Sequence, residues 1–514
     1  MRILVAVTVV LASAVPAFAG TQKVPQQHDT IQEAVNAAAD GDSIVVSGGP
    51  YHENVVIAGK TGLKLIGKKA TWDGNINGVV GSCLSGSTTG MTIQGFRFRS
   101  GDDTINLTGD GITIQKCVFR SCWDNCVVVT GNGFKFLKNT VRNVFDGVNA
   151  TSDDAVFEKN TFRGTDNQHI DLSGARAVIQ KNKFYDSGGD AVSVSGTDAT
   201  VSQNAVRNSE NHCIYVSGSG ASIQKNTIID AYRGIYLGGS GGAIEGNTVH
   251  STRYYGIEVD GDDNTIEGNE SSSAYYSNFD VEGDRNRIVD NEASDAVDDY
   301  GISADGDNVV IEGNTITRTG NSGIYLSGSG ATVRGNSVSH TRYDDGIRVN
   351  GGASAATVED NTVSNSNYWG IYVDSSGATV SGNTTTDCGG HYEGGFHIEG
   401  ASNDLDSNTA TGSGYAGFRI TGSSTTLTDC TALDSGINGF LIEDSGCTLD
   451  GCSSRGSDGQ GLFNDAINTT VTGSVFLGNA LDLASSQAFL GGIGGIDFDT
   501  GGELEPAIYF TYPD

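Results

Sequence analysis

Residues 370–383 read Gly-Ile-Tyr-Val-Asp-Ser-Ser-Gly-Ala-Thr-Val-Ser-Gly-Asn. Apolar and polar side chains alternate in Gly-Ile-Tyr-Val (370–373) and again in Gly-Ala-Thr-Val-Ser-Gly-Asn (377–383). A period of two indicates short β-strands with one buried face, whereas a helix would repeat every 3.6 residues. Glycine, with 74 copies against 5 prolines, supplies the breaks between strands.

The last asparagine of this stretch belongs to a repeat that runs through most of the chain. Asparagine recurs about every 22 residues, and a fixed period of this length indicates one supersecondary unit stacked many times. The intervals before Asn314, Asn361 and Asn408 are slightly longer, and Cys117, Cys430 and Cys452 continue the register at either end. The repeated residues are Asn139, Asn160, Asn182, Asn204, Asn226, Asn247, Asn269, Asn291, Asn314, Asn336, Asn361, Asn383 and Asn408.

A unit of about 22 residues with two or three short strands cannot bury its own apolar face. If the units stack as coils of a parallel β-helix, each strand pairs with its copy one turn away, at about 4.8 Å. The asparagines are predicted to be structural, because asparagine tolerates left-handed backbone and stacked copies can hydrogen-bond to one another.

Residues 1–19 have the features of a secretory signal. Arg2 precedes an apolar run from Ile3 to Val15, and small residues predict cleavage after Ala19. The run is too short for a membrane span, and no later segment approaches 18 apolar residues. We therefore expect a mature protein that is secreted into the periplasm or the extracellular space.

The remaining chain is divided by its repeats. Residues 20–90 are predicted to hold an N-terminal cap and the first coils, with a short helix in Thr30–Ala39 that begins at Asp29 or Thr30. The repeats are expected to fill residues 91–479, and residues 480–514 are expected to form a C-terminal cap or tail. Caps are needed because a bare last coil is an exposed sheet edge.

Several N-terminal segments resemble the opening of pectate-lyase-like right-handed β-helix proteins. These segments are Thr-Ile-Gln-Glu-Ala-Val (30–35), Gly-Asp-Ser-Ile-Val-Val (41–46), Tyr-His-Glu (51–53) and Leu-Ile-Gly (65–67). That superfamily includes pectate lyases, pectin methylesterases, mannuronan epimerases and periplasmic metalloenzyme-maturation proteins. The resemblance implies right-handed winding, so the predicted fold is an all-β, right-handed parallel β-helix solenoid. It leaves the reaction open, because such repeats serve many chemistries.

The motifs that distinguish the enzymes of this superfamily are incomplete in the chain. Gly-Asp-Asp-Thr-Ile-Asn-Leu (101–107) is similar to the Asp-Asp strand of polygalacturonases, but their Gly-His-Gly and Arg-Ile-Lys motifs are missing. Trp-Asp-Asn (123–125) resembles a calcium-site strand of pectate lyases, without the downstream Arg-Pro signature. The Asp-Pro-His motif of mannuronan epimerases is absent as well.

The net charge of −32 argues against nucleic acid and anionic membranes as partners. Nine cysteines leave at least one unpaired in a single chain. Cys122 and Cys126 can close one loop, and Cys430 and Cys452, on adjacent coils, are predicted to lie about 5 Å apart, within disulfide range.

Three columns of side chains are predicted to flank one edge of the rod and to form a long groove. The first is basic and contains Arg120, Arg142, Arg163 and Arg207, with Arg99 near the same line. The second is aromatic, and the third lies on the strand between buried residues. The aromatic column contains Trp123, Phe145, Tyr232, Tyr254, Tyr255, Tyr275, Tyr276, Tyr343, Tyr368, Trp369 and Tyr415, and the strand column contains Tyr215, Tyr236, Glu258, Tyr325, Arg348, Tyr372, His397 and Arg419.

A groove of this length suits an extended polymer, and exposed aromatic rings suit sugar faces. The longest connection is Thr384–Gly395, which carries His391 and Tyr392. The residues predicted to bind substrate are Arg120, Trp123, Arg142, Arg163, Arg207, Tyr215, Tyr232, Tyr236, Tyr254, Tyr276, Tyr343, Arg348, Tyr368, Trp369, Tyr372, His391, Tyr392 and His397.

Uronic-acid polymers are cleaved by β-elimination when their carboxylate is neutralised by Ca²⁺ or arginine and a base removes the C5 proton. The candidate catalytic residues are His212, His250, Arg253 and Tyr255. The acidic pairs Asp298-Asp299 and Asp344-Asp345 are candidate Ca²⁺ ligands, because Ca²⁺ takes several oxygen ligands.

The favoured function is therefore that of a secreted lyase that cleaves an anionic polysaccharide. The alternatives are a non-catalytic carbohydrate-binding or cell-surface adhesion rod, and a uronate C5-epimerase, which shares the proton-abstraction step. The expected partner is an extended polysaccharide, with no nucleic acid and no membrane insertion, and the protein is expected to be a monomer.

Overall fold

Each repeat folds into one coil with three short strands, and each strand joins a different parallel sheet. The computed structural model describes residues 19–76, 78–352, 354–390, 392–485 and 497–498. In a typical strand, such as Thr379–Ser381, the central residue is buried and its neighbours point outward. The predicted all-β parallel β-helix with about 22 residues per coil is confirmed.

The first sheet precedes the asparagine position of each coil and contains 21 strands within the described residues. Its strands are Thr21–Val24, Ser43–Ser47, Lys64–Lys68, Thr92–Gln94, Thr113–Gln115, Lys135–Leu137, Val156–Glu158, Val178–Gln180, Thr200–Ser202, Ser222–Gln224, Ala243–Glu245, Thr265–Glu267, Arg287–Val289, Val310–Glu312, Thr332–Arg334, Thr357–Glu359, Thr379–Ser381, Asp404–Asp406, Thr426–Thr428, Thr448–Asp450 and Thr470–Thr472.

The second sheet follows the asparagine position and contains 20 strands in the described part of the chain. Its strands are Thr71–Asp73, Arg97–Arg99, Val118–Arg120, Thr140–Val144, Thr161–Thr165, Lys183–Ser187, Ala205–Ser209, Thr227–Ala231, Thr248–Thr252, Glu270–Ala274, Glu292–Ser294, Thr315–Thr317, Ser337–Ser339, Thr362–Ser364, Thr384–Thr386, Thr409–Thr411, Thr431–Leu433, Ser453–Arg455, Val475–Phe476 and Asp497–Phe498.

The third sheet completes each coil, and 20 of its strands lie in the described ranges. Its strands are Val55–Thr61, Leu84–Thr89, Ile105–Thr108, Asn125–Thr130, Asp146–Thr151, Ile170–Ser173, Val192–Val194, His212–Val216, Arg233–Leu237, Ile257–Asp260, Phe279–Glu282, Ile302–Asp305, Ile324–Ser327, Ile347–Val349, Ile371–Val373, Phe396–Ile398, Ala416–Ile420, Asn438–Ile442, Gln460–Asn464 and Leu481–Ser485. A small antiparallel pair, Asn75–Ile76 with Val79–Val80, lies outside the three sheets.

The helix Ile31–Ala37 lies at the N-terminal end of the rod, where a capping helix was predicted. The Thr30 hydroxyl accepts a hydrogen bond from the Glu33 amide at 3.1 Å, so Thr30 is the N-cap. The Glu53 carboxylate accepts from the free amides of the first turn, Ile31 and Gln32. Ile31, Ala34 and Val35 are buried on the face predicted from the sequence.

At the other end, Leu481–Ser485 extends the third sheet, and Asp497–Phe498 pairs with Val475–Phe476. The rest of the predicted cap in residues 480–514 lies outside the described residues. The predicted signal segment also lies outside them, except for Ala19.

The interior of the rod is filled by residues that stack on their copies in the next coil. The rings of Phe396, Phe418 and Phe440 form one such stack, with centroids 4.7 and 5.0 Å apart. All three side chains are completely buried. Like residues therefore align along the axis, as the repeat predicts.

The asparagines form a continuous buried ladder between the first and second sheets. Asn182 donates from Nδ2 to the Phe157 carbonyl at 2.9 Å and to Oδ1 of Asn204 at 3.0 Å, while its own Oδ1 accepts from Asn160. The same bonds recur in coil after coil, so the ladder satisfies backbone groups that the turn leaves unpaired. Its predicted structural role is confirmed.

Cysteines occupy the ladder position where the asparagines end. Sγ of Cys430 lies 3.8 Å from the Leu405 carbonyl, and Sγ of Cys452 lies 3.5 Å from the Leu427 carbonyl, the contact that asparagine Nδ2 makes elsewhere. Both thiols are free, so the disulfide considered for this pair is not formed. Cys122 and Cys126 are bonded, as the sequence allowed.

Candidate functional site

The outward residues of the third sheet form one column along the rod. The strand register aligns Ser193, Tyr215, Tyr236, Glu258 and Asp280 in successive coils. The same alignment continues through Ser303, Tyr325, Arg348, Tyr372, His397 and Arg419. The strand column therefore exists as predicted, and it brings titratable groups from many coils onto one face.

His212 begins its third-sheet strand and is held by Asp190 from the preceding coil. The Asp190 carboxylate accepts from the His212 backbone amide at 2.9 Å and lies 3.1 Å from ring Nδ1. Only 11% of either side chain is exposed. A carboxylate that binds Nδ1 places the proton there and leaves Nε2 as the acceptor nitrogen.

Nε2 of His212 is buried and has no hydrogen-bond partner in the described structure. The His212 ring lies 5.2 Å from the ring of Tyr215 and 5.5 Å from that of Tyr236, and these two tyrosines stack at 4.9 Å. A buried nitrogen without a partner is costly in a purely structural residue. Nε2 is therefore an unused hydrogen-bond acceptor beside the tyrosine pair.

Arg233 is the register partner of His212 in the next coil. Its Nη1 lies 3.0 Å from the Glu258 carboxylate, and its guanidinium lies 4.5 Å above the ring of Tyr254. Burial raises the pKa of Glu258, and the Arg233 charge opposes that rise. Asp190, His212, Tyr215, Arg233, Tyr236 and Glu258 are together called the central site.

The surroundings raise the pKa of two groups of the central site and its border. Burial, followed by the charge of Asp260, raises the pKa of Tyr236 to about 12, and the Tyr236 hydroxyl donates to that carboxylate at 3.3 Å. Burial raises the pKa of Asp280, one coil beyond Glu258, to about 7, against a hydrogen bond from Ser303. Tyr236 therefore keeps its proton at neutral pH, whereas Asp280 keeps its proton in part.

The four residues predicted to be catalytic do not meet at one place. His212 and Tyr255 lie at the border of the third sheet, and burial raises the pKa of Tyr255. His250 lies on the second sheet, where Nδ1 is 2.9 Å from the Ser272 hydroxyl, and Arg253 is exposed in the following turn. The residues that do surround His212 are Asp190 and Arg233, which the sequence prediction missed.

The repeat itself carried the signal for those two residues. Asp190 and Arg233 occupy the His212 position in the preceding and the following coil, one repeat away on either side. Comparing that position across coils would have found them.

A second group of ionised residues lies further along the same column. Arg348 lies 3.3 Å from Asp344, 3.1 Å from Asp345 and 4.5 Å from the ring centre of Tyr372. Burial, followed by the Asp344 charge, raises the pKa of Asp345 to about 8, and its carboxylate also accepts from the Trp369 amide at 2.9 Å.

The predicted Ca²⁺ ligands are thus placed in two different surroundings. Asp344 and Asp345 already face Arg348, whereas Asp298 is exposed and Asp299 accepts hydrogen bonds from Ser277 and Asn321, both at 3.3 Å. Within the described ranges, no three His, Cys, Asp or Glu side chains are grouped to hold a metal ion. The Ca²⁺ assignment stays a prediction.

The aromatic column is only partly exposed. Trp369, expected as an exposed platform, is buried with its ring 4.9 Å from that of His397, which is buried too. Burial lowers the pKa of His397 to about 4, so this histidine is neutral. Trp369 lies at the coil position of His212, next to the sheet, where its ring packs against His397 of the strand column.

Some of the remaining aromatic residues pack against one another, and others are exposed to solvent. Tyr232, Tyr254, Tyr255, Tyr275 and Tyr276 pack against one another beside the central site. Trp123, Phe145, Tyr343, Tyr368 and Tyr392 are exposed. His391 lies outside the described residues. The substrate-binding roles of these residues remain predictions.

The arginine column lies on the outward face of the second sheet. The register aligns Arg99, Arg120, Arg142 and Arg163 in successive coils, followed by Tyr185 and Arg207. Arg99 pairs with Asp73 at 3.0 Å and Arg207 with Asp230 at 3.1 Å. The three arginines between them form no ion pair within the described residues.

Two families match parts of the chain. Residues 233–385 and 369–504, together more than half of the chain, match the family described as right handed beta helix region. Residues 99–269 match the family described as periplasmic copper-binding protein (NosD). No curated protein sequence matches the chain. In the described residues, no helix has the length and apolar character needed to cross a membrane.

Three solved structures are similar to the chain at low identity. The Dettilon tailspike protein gp208 is 16% identical with a TM-score of 0.39, over 57% of this chain and 63% of the tailspike chain, so this chain spans less than two thirds of that protein. A double mutant of the periplasmic alginate epimerase AlgG is 12% identical with a TM-score of 0.33, over 64% of this chain and 74% of that chain. The A-module of the Azotobacter vinelandii mannuronan C-5 epimerase AlgE4 is 14% identical with a TM-score of 0.29, over 72% of this chain and 96% of that module.

Proposed function

The chain belongs to the right-handed β-helix family, and on that premise we propose that it cleaves an extended uronic-acid polysaccharide by β-elimination at the central site. The observation that carries the proposal is His212, which Asp190 holds through Nδ1 while Nε2 has no partner among the described residues. An oriented histidine beside an arginine supplies the base and the charge neutraliser that this reaction needs.

The reaction is assigned to the chain's own residues as follows. Nε2 of His212 removes the C5 proton of a uronate, while Arg233 turns from Glu258 to the substrate carboxylate and stabilises the negative charge that develops. The electron pair of the C5–H bond forms the C4–C5 double bond, and the C4–O bond breaks. Tyr236, which stays protonated, donates its hydroxyl proton to the leaving oxygen.

Asp280 supports binding at the neighbouring sugar. Because burial raises its pKa to about 7, its carboxyl is partly protonated at neutral pH and can donate a hydrogen bond to a second carboxylate. Burial raises the pKa of Tyr255, and the charges of Asp280 and Glu258 raise it further, so Tyr255 stays protonated.

No step above is assigned to a metal ion. The described residues group no three His, Cys, Asp or Glu side chains around a metal, so they do not fit a copper centre. Calcium remains a predicted cofactor, and assays with and without Ca²⁺ test it. Export to the periplasm or the exterior also remains part of the proposal.

The experiment compares the wild type with His212→Asn on polygalacturonate and on alginate, each with and without Ca²⁺. Asparagine keeps a hydrogen-bond partner for Asp190 but supplies no base, so the rate should fall by at least about 100-fold. Ultraviolet absorbance of unsaturated uronate ends measures the rate. His340→Asn, at an exposed histidine away from the central site, is the matched control and should retain wild-type turnover.

A second candidate function is a non-catalytic carbohydrate-binding rod. The exposed rings of Trp123 and Phe145 favour it, because they lie several coils from His212 and form a separate platform suited to a sugar face. Retention of wild-type protein on either polymer, with no unsaturated ends formed under any of the four conditions, would support this candidate and reject the lyase.

A further inference from the structure

A groove runs along the turn between the second and third sheets near the N-terminal end of the rod. Its volume is about 640 Å³, and its walls include the exposed rings of Trp123 and Phe145. These rings are 67% and 46% exposed and belong to successive coils. The Cys122–Cys126 disulfide closes the loop that carries Trp123, so the ring is held on a short, constrained segment.

The groove adjoins the arginine column. Ser121, Asn143 and Gly164, which line it, directly follow Arg120, Arg142 and Arg163 in the chain. Ser121, Asn143 and Gly164 all have a left-handed backbone, with φ of 54°, 51° and 68°, so the turn has the same shape in each coil. The arginines are therefore presented in parallel at the coil spacing of about 4.8 Å.

These arginines lack the ion-pair partners that Arg99 and Arg207 have at the ends of the same column. Arg120, Arg142 and Arg163 form no ion pair with any described residue, and Nε of Arg142 is buried without a hydrogen-bond partner. Arg163 instead lies 4.7 Å from the ring centre of Tyr185. Three like charges at this spacing repel one another, so an anion bound across them would relieve the repulsion.

The division of charge between the two halves of the chain also favours an anionic ligand at the N-terminal end. Residues 1–225 contain 20 Lys and Arg and 20 Asp and Glu, whereas residues 226–514 contain 10 Arg and 42 Asp and Glu. The whole net charge of −32 therefore belongs to the C-terminal part. An acidic polymer therefore meets its least unfavourable surface on the N-terminal coils.

We propose that the Trp123–Phe145 groove and Arg120, Arg142 and Arg163 form a binding site for an acidic polysaccharide, separate from the central site. The polymer lies parallel to the rod axis, with sugar faces on the aromatic rings and acid groups on the arginines. A carboxylate on each sugar recurs at a spacing comparable to that of the coils. Asp166 also lines the groove. Asp124, which directly follows Trp123, lies near Asp102, Asp103 and Asp146, the residue after Phe145, so the acid groups of the polymer must lie on the arginine side.

The inference takes its polymer class from the proposed function but does not depend on catalysis. Binding at this site holds a long chain against the rod while its neighbouring segment reaches the central site. Loss of binding and loss of turnover are therefore separate measurements, and each proposal can fail alone.

The test measures the dissociation constant of full-length protein for polygalacturonate and for its fully methyl-esterified form, by titration calorimetry at low and moderate salt. The triple variant Arg120→Gln, Arg142→Gln, Arg163→Gln should bind polygalacturonate at least about tenfold more weakly and lose most of the salt dependence. Trp123→Ala should weaken binding of both polymers, because it removes the stacking surface. Arg285→Gln, at an exposed arginine of the C-terminal part, is the control and should bind as the wild type does.

Circular dichroism and thermal melting establish that each variant is folded. If the triple variant is unfolded, the single variant Arg120→Gln replaces it, with about a threefold loss of affinity expected. The inference is overturned if the folded variants bind polygalacturonate like the wild type, or if the esterified polymer binds equally well. If the wild type binds polygalacturonate through these arginines but forms no unsaturated ends, only the lyase proposal is rejected.

Discussion

The N-terminal and C-terminal parts of the rod share one scaffold but differ in charge. Residues 1–225 are neutral overall and contain all 12 lysines of the chain, whereas residues 226–514 carry the entire net charge of −32. Both parts have the same three sheets, the same coil length and the same asparagine ladder. The difference therefore lies in the outward side chains, where the fold places few demands.

The turn before each ladder asparagine illustrates this freedom. The backbone there is left-handed in every coil compared: Lys138 and Lys181 have φ of 56° in the N-terminal part, and Asp290 and Gly313 have φ of 52° and 68° in the C-terminal part. A left-handed turn favours glycine or a short polar residue, and lysine has a cost of roughly 1 kcal/mol. Lysines at this turn are thus unnecessary for folding, and they raise the local positive charge beside the arginine column.

The largest expected effect tests whether the two parts really share one scaffold. Asn182→Ala and Asn361→Ala each remove two side-chain donor bonds and two acceptor bonds of nearly equal length. Each should lower the free energy of unfolding by about 3 kcal/mol, because buried backbone groups lose their partners. Denaturant unfolding measures both, and costs that differ by more than about 1 kcal/mol would contradict a common ladder.

The next expected effect concerns the stability of the C-terminal part and its dependence on pH. Asp280 has a folded pKa of about 7, above its ordinary value of about 3.9, so folding favours its protonated form. Its contribution to stability is fully present below about pH 4 and is lost as the pH rises through about 7. Asp280→Asn should remove a pH dependence on the order of 2 kcal/mol, measured by unfolding at pH 4, 6 and 8. An unchanged pH profile would contradict the assignment.

Placing three arginines on the second sheet of the C-terminal part tests whether the surroundings of the arginine column matter for binding. Thr317, Ser339 and Ser364 occupy successive coils at the column position of the second sheet. In the arginine-deficient triple variant, Thr317→Arg, Ser339→Arg and Ser364→Arg should leave polygalacturonate binding at least about tenfold weaker than in the wild type, because nearby acids offset the new charges. Full recovery of affinity would mean that three aligned arginines suffice anywhere on the rod.

The smallest effect comes from a matched pair of exposed ion pairs. Arg176 binds Asp154 in the N-terminal part and Arg285 binds Asp263 in the C-terminal part, each through two hydrogen bonds between adjacent coils. Because water screens both pairs, Arg176→Gln and Arg285→Gln should each leave the melting temperature nearly unchanged. A clear drop for either variant would show that surface charge contributes more to stability than this account allows.

The sequence was sufficient for the fold because the asparagine repeat sets both the length of the coil and the alignment of like positions. The ladder and the columns on two sheets follow from that period, whereas the capping helix in Thr30–Ala39 follows from its own helical pattern and N-cap. The candidate site was harder to predict, because residues of several coils meet there. His250 was grouped with His212 by residue type, whereas the structure places Asp190 and Arg233 beside it.

The exposure of side chains in the turns was also difficult to predict from the sequence. A period of two separates inward from outward positions on strands, but it does not define the turns. Trp369 was therefore expected on the surface, and its coil position buries it beside His397. The pKa shift of Asp280 was also beyond the sequence, since burial by residues of neighbouring coils causes it.

Hydroxyl-radical footprinting reports the exposure of each aromatic side chain. Applied to His212→Asn with and without polygalacturonate, it shows whether an acidic polymer binds the N-terminal part of the rod. We expect the polymer to protect Trp123 and Phe145, which are exposed in the N-terminal part. We expect no change at Tyr343, Tyr368 and Tyr392, which are also exposed but lie in the C-terminal part. Protection confined to those three tyrosines, or none at all, would contradict this expectation.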